Sequence, residues 1–271
     1  MNEREIEEQL KWFKKQGYIV PNKNLLKSKV EIEGIRESGK INIAVLDEVV
    51  KAAKVGMSTE DIDQIVYQKT KEFGGIPGTL GYSGFPKSCC TSINSQICHG
   101  IPSKADILKE GDIVNVDITT IYNGFFSDSS RMICIGEIEP ETKRLVEVAK
   151  ESIQVGLKEV KPWHCLGNMG QAIHDSVRSQ GFSVVREIGG HGVGKKMHEE
   201  PFVSYVSKRG TEMMMVPGMV FTIEPMINMG TSRVREDYKN GWTIYTKDGK
   251  PSAQWEVTVV ITESSYEILA Y

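Results

Sequence analysis

The chain has 271 residues, of which 39% are hydrophobic and 25% charged, and a formal net charge of −3. That length allows one large or two small domains with a sizeable core. Near-neutral charge without a long basic run argues against nucleic acid as a main partner, and no apolar run approaches the ~18–20 residues that span a bilayer. The five cysteines, Cys89, Cys90, Cys98, Cys134 and Cys165, are odd in number and clustered. The charged N-terminus lacks the apolar stretch of a secretory signal, so reduced thiols in a cytoplasm are the expectation. Cys89, Cys90, Cys98 and His99 could be read as a zinc site, but adjacent cysteines do not match the usual ligand spacing.

Ile6, Leu10 and Phe13 recur at i, i+4, i+7 and predict an amphipathic helix over residues 2–15, followed by a polar linker with Pro21. Ser28 and Glu31 fit a capping box, which predicts a helix from 29 to about 54, ending near Gly56. Ser58 opens a second helix carrying Ile62, Ile65 and Val66. The glycine-rich stretch GGIPGTLGYSGFP breaks it and leads through short strands to Ile97.

The segment NVDITTIYNGFFSDSSR, residues 115–131, reads as a hairpin about Asn123-Gly124, because a type I′ turn needs φ > 0 at both central positions. If Tyr122 pairs with Phe125, Asp128 faces Thr119 and Asp117 faces Ser130. With period-2 alternation, Asp117 and Asp128 share a face as diagonal neighbours, Cα atoms roughly 7–8 Å apart. Such a pair could hold one cation or two adjacent ones; a solvated face with acidic decoration is the plainer alternative. Val114, Val116 and Ile118 point the other way, into a core.

The pattern then recurs. Helices are expected over about 141–160, ending before Pro162, and about 167–180, ending at Gly181, with a strand at FSVVREI. At an offset of 107, Lys54 matches Lys161, Val66 falls opposite Ile173 and Gly74 matches Gly181. Two halves, each of two helices followed by strands, would enclose a site at their junction.

GGHGVGKKMHEEP places His191 and His198 in glycine-rich sequence that resists a helix and lets backbone approach a ligand closely. A lone histidine is more often structural; two in one loop point toward function. Glu224 in MVFTIEPM and Glu256 in SAQWEVTVVIT follow or open apolar runs without an adjacent lysine or arginine. A buried carboxylate so placed must be protonated, paired or metal-bound, unless its strand is an exposed edge. Asp117, Asp128, Glu224 and Glu256 with one histidine make a ligand set whose charge two divalent ions would nearly balance. Two ions roughly 3.5–4 Å apart suit a dinuclear hydrolase with a bridging hydroxide as nucleophile.

CHGIP (98–102), GDIVNVDIT (111–119), SDSSR (127–131), GGHGVGKKMHEEP (189–201), FTIEPM (221–226) and SAQWE (252–256), in this order, resemble type I methionine aminopeptidase over about residues 29–271. The resemblance implies the α/β pita-bread fold, two pseudo-symmetric halves of helices and antiparallel sheet around a dinuclear metal site, with residues 1–28 as an N-terminal extension. It implies Asp117, Asp128, His191, Glu224 and Glu256 as metal ligands, Asp128 and Glu256 bridging. His198 would stabilise the oxyanion, His99 would contact the scissile amide, and Glu224 would shuttle a proton. Tyr82, Phe85, Cys90, Met197 and Trp242, beside the two catalytic histidines, would receive methionine. Sulfur–aromatic contacts worth ~0.3–1.5 kcal/mol each favour a thioether there. The implied activity removes initiator methionine from nascent polypeptides whose second residue is small, with two divalent ions (cobalt, manganese, iron or zinc), by a cytoplasmic monomer with the ribosome as a candidate partner.

Four positions depart from the commoner pattern: Ser83 and Val257 where histidine is frequent, Met197 for an aromatic, and Phe85 for tyrosine. Proline-specific peptidases share the fold but typically carry a large N-terminal domain. Type II enzymes carry a long insertion between the positions of His198 and Glu224, and non-catalytic pita-bread proteins usually lose metal ligands.

Overall fold

The computed structural model describes residues 3–271. Its helices are α1 (Glu3–Lys15), α2 (Lys29–Ala52), α3 (Thr59–Glu72), α4 (Pro140–Glu159) and α5 (Leu166–Ser179). Asn2, the expected first residue of α1, lies outside the described residues. Both capping boxes form: Ser28 with Glu31 starts α2, and Ser58 with Asp61 starts α3. Each such cap contributes ~1 kcal/mol by satisfying backbone N–H groups that a helix start leaves free.

The first half carries β1 (Ile76–Pro77), β2 (Cys90–Ile93), β3 (Gln96–Cys98), β4 (Ile113–Tyr122) and β5 (Phe125–Cys134). The second carries β6 (Ser183–Val184), β7 (Gly190–Gly192), β8 (Glu199–Val203), β9 (Val220–Ile223), β10 (Met226–Asn228), β11 (Val234–Glu236), β12 (Ile244–Thr246), β13 (Ser252–Gln254), β14 (Val257–Ile261) and β15 (Tyr266–Ala270). Strands β1, β4 and β2 form one sheet with β5 on β4; β15-β14-β9-β7-β8 form another; all pairings are antiparallel. The expected strand at FSVVREI shrinks to Ser183–Val184. Its partner β10 is only three residues long, and after Val185 bonds Met226 O the chain turns outward through exposed Arg186 and Glu187.

The offset of 107 holds in backbone detail. It carries α3 onto the bounds of α5, and the end of α2 onto the end of α4. It also carries the Leu108 N–H bond to Met57 O onto the Met215 N–H bond to His164 O, both 2.8 Å. Gly74 and Gly181 both have φ +85°. Each half thus lays two helices on antiparallel strands. The first core gathers Val45, Leu46, Ile62 and Val66 under Val114, Val116 and Ile118; the larger second core gathers Leu145, Ile153, Met169 and Ile173 under Phe221 and Ile223. Leu10 of α1 is buried in the second core, and Phe13 stacks on Trp163 with ring centroids 5.6 Å apart.

Candidate metal centre

The β4–β5 hairpin has the register that its turn predicts, from Ile113↔Cys134 to Tyr122↔Phe125. Asn123 and Gly124 have φ +49° and +82°, so the turn takes the left-handed conformations that this dipeptide favours. Asp117 pairs with Ser130 and Thr119 with Asp128, which sets the two aspartates on one face. The opposite face is gripped by α2: Ser38 Oγ donates to Thr120 O (2.8 Å), Asn42 Nδ2 to Ile118 O (2.7 Å), and Ser129 Oγ to Asn42 Oδ1 (2.5 Å). Alternation in SDSS therefore sends Ser127 and Ser129 to the helix and Asp128 to the junction of the halves.

At that junction the second half meets the hairpin edge. Glu256 lies between β13 and β14, its N–H donating to Ser130 O at 3.3 Å, and Thr258 Oγ1 donates to Asp128 O at 2.7 Å. Glu224 follows β9. Its N–H donates to Tyr205 Oη (2.7 Å), and its carboxylate accepts from Thr222 Oγ1 (2.6 Å) and Gln254 Nε2 (3.1 Å). The offset of 107 carries Asp117 onto Glu224, so these two occupy equivalent places in the halves. His191 sits on β7, between β8 and β9. The glycines beside it serve a close approach, but to neighbouring strands rather than to a ligand. A Cβ on Gly190 would lie 2.5 Å from Thr222 O, and one on Gly192 would strike Glu200 O.

These residues line one cavity of about 360 Å³, together with Thr79, Tyr82, Phe85, Cys90, His99, Met197, His198 and Trp242. Asp128, His191 and Glu256 offer ligand atoms within 4.8 Å of one another. His191 Nε2 lies 3.5 Å from Glu224 Oε1 and 3.9 Å from Asp128 Oδ2. His191 Nδ1 is 3.0 Å from Gly192 O. A carbonyl only accepts, so Nδ1 carries the proton and Nε2 presents its lone pair to the carboxylates. His198 Nδ1 instead meets the Tyr82 hydroxyl at 2.7 Å, and its ring lies 4.2 Å from that of His191. Phe85 and Trp242 meet edge to face at 5.1 Å, and His99 holds φ +55°, a strained backbone of the kind found at functional sites.

Asp128, Glu224 and Glu256 are 5%, 7% and 2% exposed, and no lysine or arginine lines the cavity among the described residues. Burial pushes Asp117 up to about 7 and Glu224 up to about 8. Burial first, then the neighbouring carboxylates, lift Asp128 and Glu256 well above the ordinary range. Burial, then the charge of His198, lowers His99 and His191 to about 4, so both rings are neutral at pH 7. Asp128 Oδ1 is buried without a hydrogen-bond partner. Four carboxylates crowded without a cationic side chain, one oxygen orphaned, and a bare imidazole nitrogen fit divalent metal.

The sequence matches the model of metallopeptidase family M24 over residues 33–263. Methionine aminopeptidase A of Synechocystis sp. is 45% identical over 245 residues, 90% of this chain and 96% of that protein. The chain belongs to the methionine aminopeptidases of metallopeptidase family M24. The crystal structure of methionine aminopeptidase from Rickettsia prowazekii superposes with a TM-score of 0.89 at 36% identity, covering 91% of this chain and 99% of that one. Prolidase from Pyrococcus furiosus, at 23% identity and TM-score 0.73, shares the fold over 91% of this chain but only 65% of its own. Within this M24 pita-bread fold, all the residues expected at the site reach the cavity.

Cys89, Cys90 and Cys98 are buried, and among the described residues the ligand atoms that gather closely enough for one ion are those of Asp128, His191 and Glu256, not those of the cysteines and His99. Of the departures, Phe85 and Met197 line the cavity, while Ser83 and Val257 do not. Several site residues had no role in the sequence reading. Thr119, which donates to Asp128 Oδ2 at 3.0 Å, was signalled only by register. Gln254 stood inside a quoted motif without a function. Phe202, paired with His191 and 52% exposed at the cavity mouth, carried no signal.

Proposed function

We propose that this chain is a metal-dependent methionyl aminopeptidase that takes the initiator methionine from nascent polypeptides when the second residue is small. The observation that carries the reading is His191, whose Nε2 lone pair faces buried Asp128 and Glu224 beside a pocket of Tyr82, Phe85, Cys90, Met197 and Trp242. In this reading Asp117, Asp128, His191, Glu224 and Glu256 would hold two divalent ions. Two ions match the four carboxylate charges; a carboxylate–imidazole set accepts manganese, iron, cobalt or zinc, and availability decides. Divalent metal held there would supply Lewis acidity and an activated water as the nucleophile near neutral pH.

The chain's own groups do the rest. With the Tyr82 hydroxyl donating to His198 Nδ1, the Nε2 proton of His198 is left to meet the oxyanion. His99, neutral and packed edge to face on Trp242, contacts the scissile amide. Glu224, whose carboxylate faces the same cavity, is the group placed to carry a proton toward the leaving amine. The apolar slot takes the unbranched thioether and excludes β-branched side chains. Residues 29–271 form the catalytic domain in this proposal, with 1–28 an N-terminal extension whose Leu10 and Phe13 pack on its second core. No described helix is long and apolar enough to cross a membrane. A cytoplasmic monomer acting on chains as they leave the ribosome fits the substrate.

Assays with added divalent metal test the proposal. Met-Ala-Ser should be cut far faster than Met-Leu-Ser, and X-Pro peptides left intact. Equal rates on the first two would overturn the small-residue rule, and preferred X-Pro cleavage would move the chain to the proline-specific peptidases.

A further inference from the structure

The turn that carries Met197 and His198 is held through Glu199 by Lys27 and the start of α2. Glu199 Oε1 accepts the backbone N–H groups of Lys195 (2.7 Å) and Lys196 (2.9 Å). Its Oε2 takes the ammonium of Lys27. The two side chains are 2% and 11% exposed for Lys27 and Glu199, so water does not replace either partner. Lys27 is itself fixed: its N–H donates to Gly218 O at 2.7 Å, and it precedes Ser28, the cap of α2. From the same helix start, Glu31 meets Lys195 Nζ at 2.7 Å. Gly194, at φ +145°, lets the turn lie against these groups; a Cβ there would fall 2.6 Å from Ile35 Cδ1 and 3.0 Å from Lys27 Cε.

A buried ion pair is weak evidence for stability, because desolvation consumes most of the attraction and apolar replacements are often neutral. What this pair does is fix geometry. It ties the residue next to His198 to the start of α2, while the His198 ring, exposed to the cavity, is held by Tyr82. We propose that Lys27 is a positioning residue: through Glu199 it sets the 195–199 turn so that His198 faces the scissile carbonyl. The inference rests on the oxyanion role given to His198 above.

The test uses Lys27→Met, which keeps the apolar stem, and Glu199→Gln, which keeps an acceptor for the two N–H groups. Each is made in the native chain and in His198→Ala, with kcat and KM on Met-Ala-Ser, metal content and Tm. Misplacing a catalytic group by ~1 Å costs up to ~10² in rate, so each variant should lower kcat by about 10–100-fold. KM and metal content should change little. In the His198→Ala background the same substitutions should change kcat by less than about twofold, since residues acting through one group are not additive. Equal kcat losses in both backgrounds, or losses that follow departure of metal, would overturn the proposal. If Lys27→Met does not fold, the Lys27→Met/Glu199→Gln pair, which removes both charges, carries the same comparison. A His198→Ala chain as fast as the native one removes the role on which the inference rests; a native chain inert on Met-Ala-Ser removes the proposed function itself.

Discussion

The first half delivers Asp117 and Asp128 from two ten-residue strands joined by a two-residue turn. The second half delivers Glu224 and Glu256 from the ends of strands of four and five residues that are distant in sequence, and His191 from a strand of three. The offset of 107 makes Asp117 and Glu224 equivalent, yet only the first half presents its carboxylates on one continuous hairpin. A local hairpin fixes two side chains by turn and alternation alone. The second half needs strands from separate stretches to pair before any ligand is in place, and it spends glycines on that closeness.

The pair proposed to bridge the ions spans the comparison, with Asp128 from one half and Glu256 from the other. Asp128→Asn and Glu256→Gln should each abolish turnover and weaken both ions, because each lost charge is shared between two sites. Near-native turnover of either variant at saturating metal would end the bridging assignment.

The two histidines of the second half should separate next. His198→Ala should lose ~10²–10³ in kcat, the usual effect of removing an oxyanion donor, while binding metal as before. His191→Ala should lose activity together with affinity for one ion. Calorimetric metal titration of both decides between these roles, and a lost ion in His198→Ala alone would exchange them.

Backbone substitutions sharpen the contrast in stability. Gly190→Ala puts a Cβ within 2.5 Å of Thr222 O, a backbone atom that cannot turn aside, and should cost ~1–3 kcal/mol by chemical denaturation. Gly124→Ala meets nothing within 4 Å and pays only for its φ of +82°, ~1 kcal/mol. A larger loss at Gly124 than at Gly190 would contradict this account of the halves.

The smallest effect concerns the equivalent pair in metal-free protein. Asp117 and Glu224 have folded values of about 7 and about 8 against ordinary values of 3.8 and 4.5. A raised folded pKa gives stability that is full below the ordinary value and lost as pH rises through the folded one. His99, His191 and His198, lowered from 6.5, act in the opposite sense near pH 6.5, where their unfolded rings are half protonated, and fade above it, while Asp128 and Glu256, raised like Asp117 and Glu224, add to the fall. With chelator present, Tm should fall between pH 6.5 and 8, and less so in Glu224→Gln; scanning calorimetry at the two pH values checks it. A metal-free Tm that rises over that interval would show that these carboxylates are not held protonated by burial.

The sequence by itself determined the elements whose signals are local. Ser28–Glu31 started α2, Asn123-Gly124 set the hairpin register and the face shared by Asp117 and Asp128, and the 107-residue repeat announced two halves. Turn conformation, caps and alternation act over a few residues, and they can be read before anything packs. Only the tertiary structure decided what depends on a partner distant in the chain. FSVVREI kept two strand residues, paired with Ile227 and Asn228, because past the Val185 bond to Met226 O the chain turns outward at exposed Arg186. The glycines of GGHGVG face the backbones of β8 and β9. The proton of His191 sits on Nδ1 because the ring, packed among carboxylates, turns that atom to Gly192 O. Lys27, read only as a linker residue, meets Glu199 because the start of α2 lies against the turn of His198. These contacts join residues up to 172 positions apart, and no local periodicity encodes such a meeting.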